Sequence, residues 1–410
     1  MQIKKIMTKA AAGLLSAALA GIFTAAGYYS EKLPDVLMSD TGSQVRIAQY
    51  PEIKLYSGYT EPEALSCSGK ATLSLFGAIP VKSVELRQTE APTLIAGGKP
   101  FGIKLLMEGV MVTGLGDVEA DSGTYVCPAS EAGIETGDIV CTAGGRTLTS
   151  NLQLQAIIKS SQGAPIPLSV KRGEQCFDTV MKPVFSEKSG QWKGGMWVRD
   201  SIAGIGTMTF IERSTGRFAG LGHPICDSDT GEIVPLHSGE AVPVDITDTK
   251  RGERGIPGEL HGRFTMGNSL GTLDLNSSCG IFGSLNSKAL DEIAESCEEY
   301  KLGYRQDINT GAAEVYTTVI GDKPQKYAVE IEKIDYNAAD ASKNMMIRIT
   351  DKRLLDASGG IVQGMSGSPI IQNDRIIGAV THVFVSDPSC GFAIFAENMV
   401  KTLDEGCNRE

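Results

Sequence analysis

The last 225 or so residues, from about position 185 onward, constrain this chain most. They consist of short apolar runs, each broken after a few residues by glycine or another turn former. SIAGIGTMTFIERSTGRFAGLGHPI reads as two strands around the turn Arg213-Ser214-Thr215-Gly216. AAEVYTTVIG, KYAVEIEKIDY, NMMIRIT and RIIGAVTHVFV read as further strands. Only LNSKALDEIAESCEEYK and FAENMVKTLDEG carry helical spacing. Short strands separated by turn signals must close on one another as a barrel or sandwich, and the length fits a pair of small barrels. Composition agrees: 48 glycines and 6% aromatic residues favour turns and short strands over long helices.

At 410 residues the chain exceeds one ordinary domain. Lys4, Lys5 and Lys9 precede an uncharged, Ala-rich run from Ala10 to Ala26. Seventeen helical residues rise about 25 Å, close to a bilayer core. A basic flank before such a run marks a signal peptide or signal anchor over residues 1–27, and places the remainder outside the cytoplasm. Residues 28–99 read as a polar tether and a small β-rich region. ATLSLFGAIPVKSVEL, from Ala71 to Leu86, gives two strands around a Gly-Ala-Ile-Pro break. Turn residues in APTLIAGGKP suggest a boundary near residue 100.

From 100 to 185 the pattern changes. FGIKLLMEGVMVTGL gives strands, NLQLQAIIKS a helix behind an Asn or Ser cap, and IPLSVKRGEQCFDTVMKPV a hairpin. With Pro128-Ala129-Ser130, Ala132-Gly133-Ile134 and Gly137-Asp138-Ile139 between them, this stretch resembles a PDZ domain. Such domains add a peptide as an extra strand and hold its terminal carboxylate on backbone N–H groups. Phe101, Gly102 and Ile103 are the expected peptide-binding loop.

The net charge of -11, with no basic stripe, argues against nucleic-acid binding. Nine cysteines are scattered, without a CxxC pair or a histidine at ligand spacing. Neither a metal site nor a cofactor is expected. The cysteines read as mostly free and partly buried.

Within IVQGMSGSPIIQN, Ser366 has a glycine two residues before it and another directly after it. A serine nucleophile needs a tight turn and converging backbone N–H groups for the oxyanion. Gly364 and Gly367 permit the turn, and the amides of Gly364 and Ser366 have the spacing of a trypsin-type oxyanion hole. Ser368 is the competing serine. Of the four histidines, His223 follows a glycine-rich strand end 143 residues before Ser366. It is the expected general base. His382 falls well along the strand after the nucleophile, while His237 and His261 fall in polar loops. The residues leave the third member open among Asp245, Asp248, Asp274, Asp351 and Asp356.

LGHPICD around His223, ITDKRLLDASGGIVQGMSGSPIIQN around Ser366 and the following THVFVSDPSCG resemble the SpoIVB serine peptidase family of endospore-forming Firmicutes over nearly the full length. The resemblance implies a mainly β protein: membrane segment, small β-rich region, PDZ domain, and a trypsin-like double β-barrel peptidase domain at 186–410. It carries the catalytic His and Ser onto His223 and Ser366, and the orienting acid onto Asp351. It further implies a forespore protein, exported to the space between the two membranes around the forespore. The protein substrates would be the chain itself and a membrane-bound regulator of an intramembrane metalloprotease, whose release leads to pro-sigma-K processing. A PDZ adaptor with an inactive peptidase domain and a general envelope quality-control protease are the competing readings.

Overall fold

The computed structural model of the chain describes residues 2–39, 45–55, 69–120, 123–173, 175–265, 269–321 and 323–406. Two closed barrels organise it. In the first, six antiparallel strands pair in a ring. The first half of Pro100–Leu115 pairs with the second half of Met196–Ile211, as in Phe101 opposite Gly206. The ring continues through Arg217–Gly220, Gly280–Leu285, Gly271–Ser277 and Leu236–Lys250, and returns to the start with Ala241 opposite Ile103.

The second ring is built the same way. Gly311–Thr317 pairs with Gln325–Ile334, then Met345–Ile349, Asp387–Phe395, Arg375–Phe384 and Pro369–Gln372, which closes on Gly311–Thr317. Period-2 burial, as in the pattern of Gln325–Ile334, points alternate residues such as Tyr327, Val329 and Ile331 inward. Asn373 and Asp374 both have positive φ, so a two-residue turn joins the strands on either side. The sequence expectation of a mainly β, double-barrel fold is met.

The PDZ-like unit is inserted in the chain between two strands of the first barrel rather than standing ahead of it, and it has its own apolar cluster. The strands Pro100–Leu115 and Met196–Ile211 both run on past the barrel and continue pairing, with Met196 opposite Leu115. There they join Ile139–Ala143, Ile166–Arg172 and Gln175–Met181, with the helix Asn151–Ser161 packed alongside. Ser150 caps that helix by accepting from the Gln153 amide. The expected PDZ range of 100–185 therefore begins with barrel residues of Pro100–Leu115, and the boundary at 186 falls within the short strand Val184–Ser186, outside the barrel. Each of the two is a single 16-residue strand whose pairing partners change along its length.

Residues 69–75 and 79–88 form the expected hairpin, turning at Phe76 and Gly77, both with positive φ. With Val36–Ser39 and Ile53–Leu55 it makes a four-stranded sheet. Leu33, Leu37 and Leu73 share one apolar cluster with Ile308, Ile331 and Tyr336 of the second barrel. Ahead of the sheet runs the helix Gln2–Lys32, longer than the run expected from sequence. Its stretch Ala12–Lys32, of mean hydropathy 1.3, is long and apolar enough to cross a membrane, as an anchor or signal sequence would be. Seven cysteines among the described residues are free; Cys67 and Cys407 lie outside them.

Candidate active site

Ser366 stands in the turn that enters the strand Pro369–Gln372 of the second barrel. The first barrel clamps this turn. Thr207 donates its amide to the Ser366 carbonyl at 2.9 Å and its hydroxyl to the Gly364 carbonyl at 2.7 Å. Thr209 donates its hydroxyl to the Gly367 carbonyl at 2.7 Å. Gly364 and Gly367 have φ of 97° and 94°, a region disfavoured for side-chain-bearing residues. Among the described residues, no acceptor takes the amide of Gly364 or of Ser366. These are the two N–H groups an oxyanion needs. The Ser366 hydroxyl donates to the Thr381 carbonyl at 2.8 Å. Ser368 is fully buried, its hydroxyl donating to the Met365 carbonyl and accepting from the Thr317 hydroxyl, and is a wall of the turn.

His223 follows the strand Arg217–Gly220 of the first barrel. The chain reaches it through a tight turn, with the Gly222 amide donating to the Gly220 carbonyl at 2.8 Å. Leu221, at the centre of that turn, has φ of 64°. A γ-turn of this hand is rare and strained, and such strain persists where surroundings over-determine it. Beyond His223, Asn276 holds the loop by accepting from the Ile225 amide and donating to the Ile225 and Val234 carbonyls, each at 2.9 Å. Leu221 stands in the LGHPICD motif but was not singled out, and Asn276 was not legible as a site residue because nothing nearby in sequence marks it.

The His223 Nδ1 lies 2.8 Å from the Pro224 carbonyl. A carbonyl only accepts, so Nδ1 carries the proton and Nε2 keeps its lone pair, the tautomer a general base requires. Burial pushes the His223 pKa down, against the raising effect of that carbonyl. His223 and Ser366 line one cleft of about 520 Å³ between the barrels. His382 lines it too, its ring centroid 5.0 Å from that of His223. The rest is largely Ile, Val and Leu, and among the described residues no carboxylate, lysine or arginine lines it.

Asp351 does not join this group in the structure. It caps the helix Lys352–Ser358, pairs with Arg353 at 2.7 Å and accepts from the Ala328 amide. The Arg353 guanidinium bonded to it holds its pKa down at about 2. The orienting acid expected there is thus committed to a partner two residues away. Asp245, Asp248, Asp274 and Asp356 are exposed and also stand outside the cleft, as do the exposed His237 and His261.

Phe101, Gly102 and Ile103 are likewise not the peptide-binding loop. Phe101 and Ile103 are buried in the first barrel, where Phe101 packs edge-on against Phe218 at 5.6 Å. Gly102 faces Val242 and Phe264. The groove of the PDZ-like unit instead lies between the helix Asn151–Ser161 and residues 191–198. Leu152 and Trp197, 71% and 64% exposed, are its apolar walls.

Comparison with known proteins follows this geometry. Residues 190–400 match the family of SpoIVB peptidase S55. Two solved structures are similar. One is the PDZ domain of the SdrC-like protein from Listeria monocytogenes, at 22% identity and TM-score 0.19, covering 22% of this chain and 87% of that chain. The other is an HtrA-type protease, AlgW, with a decapeptide, at 14% identity and TM-score 0.31, covering 53% of this chain and 55% of that chain. No curated protein matches.

Proposed function

The chain belongs to the SpoIVB peptidase S55 family, and on that premise we propose that this serine endopeptidase acts through Ser366 as nucleophile and His223 as general base. One observation carries the assignment: a serine and a histidine from opposite barrels line the same cleft, beside two backbone amides that donate to nothing else. His223 Nε2 takes the Ser366 proton as Oγ attacks the scissile carbonyl carbon. The amides of Gly364 and Ser366 receive the oxyanion. The imidazolium then gives its proton to the leaving amine, and water repeats the sequence on the acyl-enzyme.

The biological setting is part of the same reading. The chain is exported from the forespore, cleaves itself near its N-terminus, and cleaves a membrane-bound regulator of an intramembrane metalloprotease, so that pro-sigma-K is processed. The groove at Trp197 holds a further segment of a protein substrate by strand addition. Labelling of the full chain by a serine-directed fluorophosphonate tests the core of this. Wild type should label and Ser366→Ala should not, with self-cleavage lost alongside. The Ser366 hydroxyl in the structure rests on Thr381 rather than His223, which favours the adaptor reading if wild type stays unlabelled while still binding its targets.

A further inference from the structure

His382 has no part in the reaction as written above, yet it sits against the base. It lies on the strand Arg375–Phe384, next to the Thr381 whose carbonyl accepts from Ser366. Its ring is 5.0 Å from that of His223, with the planes 38° apart. Its Nδ1 is buried and has no hydrogen-bond partner among the described residues. Leaving a buried polar nitrogen unpaired is unfavourable, and such an atom in a folded protein calls for a cause. The adjacent imidazole offers one. Among the described residues, the Nδ1–H of His223 is held only by the carbonyl of the next residue, Pro224, and no carboxylate lines the cleft.

Resting on the reading of Ser366 as nucleophile and His223 as base, we propose that His382 is a positioning residue for His223, giving a Ser–His–His arrangement. When substrate fills the cleft, the His223 Nδ1–H leaves the Pro224 carbonyl and donates to the His382 Nδ1 lone pair. At His223 one hydrogen bond breaks and one forms, and the Ser366 hydroxyl likewise exchanges the Thr381 carbonyl for His223 Nε2. His223 Nε2 turns to Ser366 and takes its proton, and the positive charge that develops on His223 lies beside a neutral ring. The Pro224 carbonyl remains at the cleft wall. The charged and titratable groups acting on His382 are His223, Lys343 and Asp340, the last two paired at 2.8 Å. Burial, then His223 and Lys343, hold the His382 pKa down to about 4 against the pull of Asp340. His382 is therefore neutral, with a lone pair to offer, wherever His223 works.

Two variants test this on the full chain. His382→Phe keeps a ring of similar size and removes both nitrogens. His382→Asn places an amide oxygen where Nδ1 stood. The rate of fluorophosphonate labelling should fall about 100-fold in His382→Phe, and His382→Asn should recover to within about tenfold of wild type. Thermal unfolding should show both variants folded. Labelling of His382→Phe within threefold of wild type would overturn the proposal. So would equal loss in both variants with equal loss of melting temperature, since that is a packing role. A folded wild type that does not label removes the serine reading beneath it, an outcome distinct from loss in the Phe variant alone.

Discussion

Gly367→Ala tests how the two barrels are held at the nucleophile. A Cβ built on Gly367 would stand 2.0 Å from the Thr207 carbonyl oxygen and 2.5 Å from the Leu221 amide nitrogen. Both are backbone atoms of the first barrel, so no side chain can swing aside. The φ of 94° adds its own penalty, about 1–2 kcal/mol for a residue with a Cβ. Forcing a methyl into a filled space adds about 1–3 kcal/mol. Together these give about 2–5 kcal/mol. At about 2 °C per kcal/mol for a unit of this size, the melting temperature falls by about 4–10 °C. The relief available is separation of the Ser366 turn from the strand bearing Thr207. That breaks the Thr207–Gly364 and Thr209–Gly367 bonds and withdraws Ser366 from Leu221 and His223. Labelling by fluorophosphonate should therefore fall further than the stability loss explains, by at least tenfold at a temperature where the variant is fully folded. Circular dichroism and labelling rate measured on the same preparation decide it. A variant that melts within 2 °C of wild type and labels at its rate would refute the packing argument.

Further predictions follow from the charges. His223 must be neutral to accept a proton and burial lowers its pKa, so the labelling rate should hold as pH drops past 6.5 and fall only below it. The native state keeps both cleft histidines unprotonated where the unfolded chain binds protons, so stability should decline as pH falls from about 6.5 toward 4, read by melting temperature. Asp351→Asn should cost about 0.5–2 kcal/mol as a weakened cap, with labelling within threefold of wild type; a hundredfold loss would return the orienting role to Asp351. Since its carboxylate is held near 2 by Arg353, the stabilisation from Asp351 is present above about pH 4 and is lost as pH falls through about 2. Arg199→Met leaves the fully buried Asp227 without its ion-pair partner. It should destabilise by about 3 kcal/mol, the low end for a buried pair because Arg199 is 35% exposed, and Asp227→Asn in the same chain should recover part of that in a denaturant titration. A cleft without charge should disfavour Lys, Arg, Asp or Glu at the scissile residue, and mass spectrometry of digested peptide libraries reads this directly.

How much of this was legible depended on whether the signal was local. The hairpin at 69–88 and the helix at 151–161 are set by neighbours in sequence, and their alternation, cap and turn residues announce them. So does the Ser366 turn, whose glycines are needed for backbone reasons. The fate of Phe101–Ile103 was not legible. An apolar alternating strand fits a PDZ edge and a barrel equally well, and only its pairing with Gly204–Gly206 and Ala241–Pro243 decides between them. The same holds for His382. Counted along the strand it is sixteen residues beyond Ser366. Barrel pairing folds that strand back, so that Gly367 donates to Val380 and Ser366 to Thr381. Asp351 shows the converse: its place before the nucleophile suited a triad, but a nearer cation and two amides claim the carboxylate.

Insertion of the PDZ-like unit between two strands of the first barrel has a mechanical consequence. The strand Met196–Ile211 touches every functional element in turn. Trp197 walls the peptide groove, and Arg199 pairs with Asp227, four residues beyond His223. Ile202 and Ile205 line the cleft, and Thr207 holds the Gly364 and Ser366 carbonyls. From Trp197 to Thr207 is ten residues, about 33 Å of extended chain. Along it, register shifts interrupt the pairing with Pro100–Leu115 between Trp197 and Val198 and between Arg199 and Ser201, and nowhere nearer the nucleophile. On that edge the ladder is continuous from Ser201 to Thr207, while on the other edge the pairing with Arg217–Gly220 shifts register between Met208 and Phe210. A peptide added beside residues 191–198 therefore bears first on the irregular neck and on Arg199, whose partner anchors the loop of the base. Thr207 and Thr209 hold the nucleophile turn through three hydrogen bonds, and along the strand the groove reaches the base loop before it reaches the nucleophile.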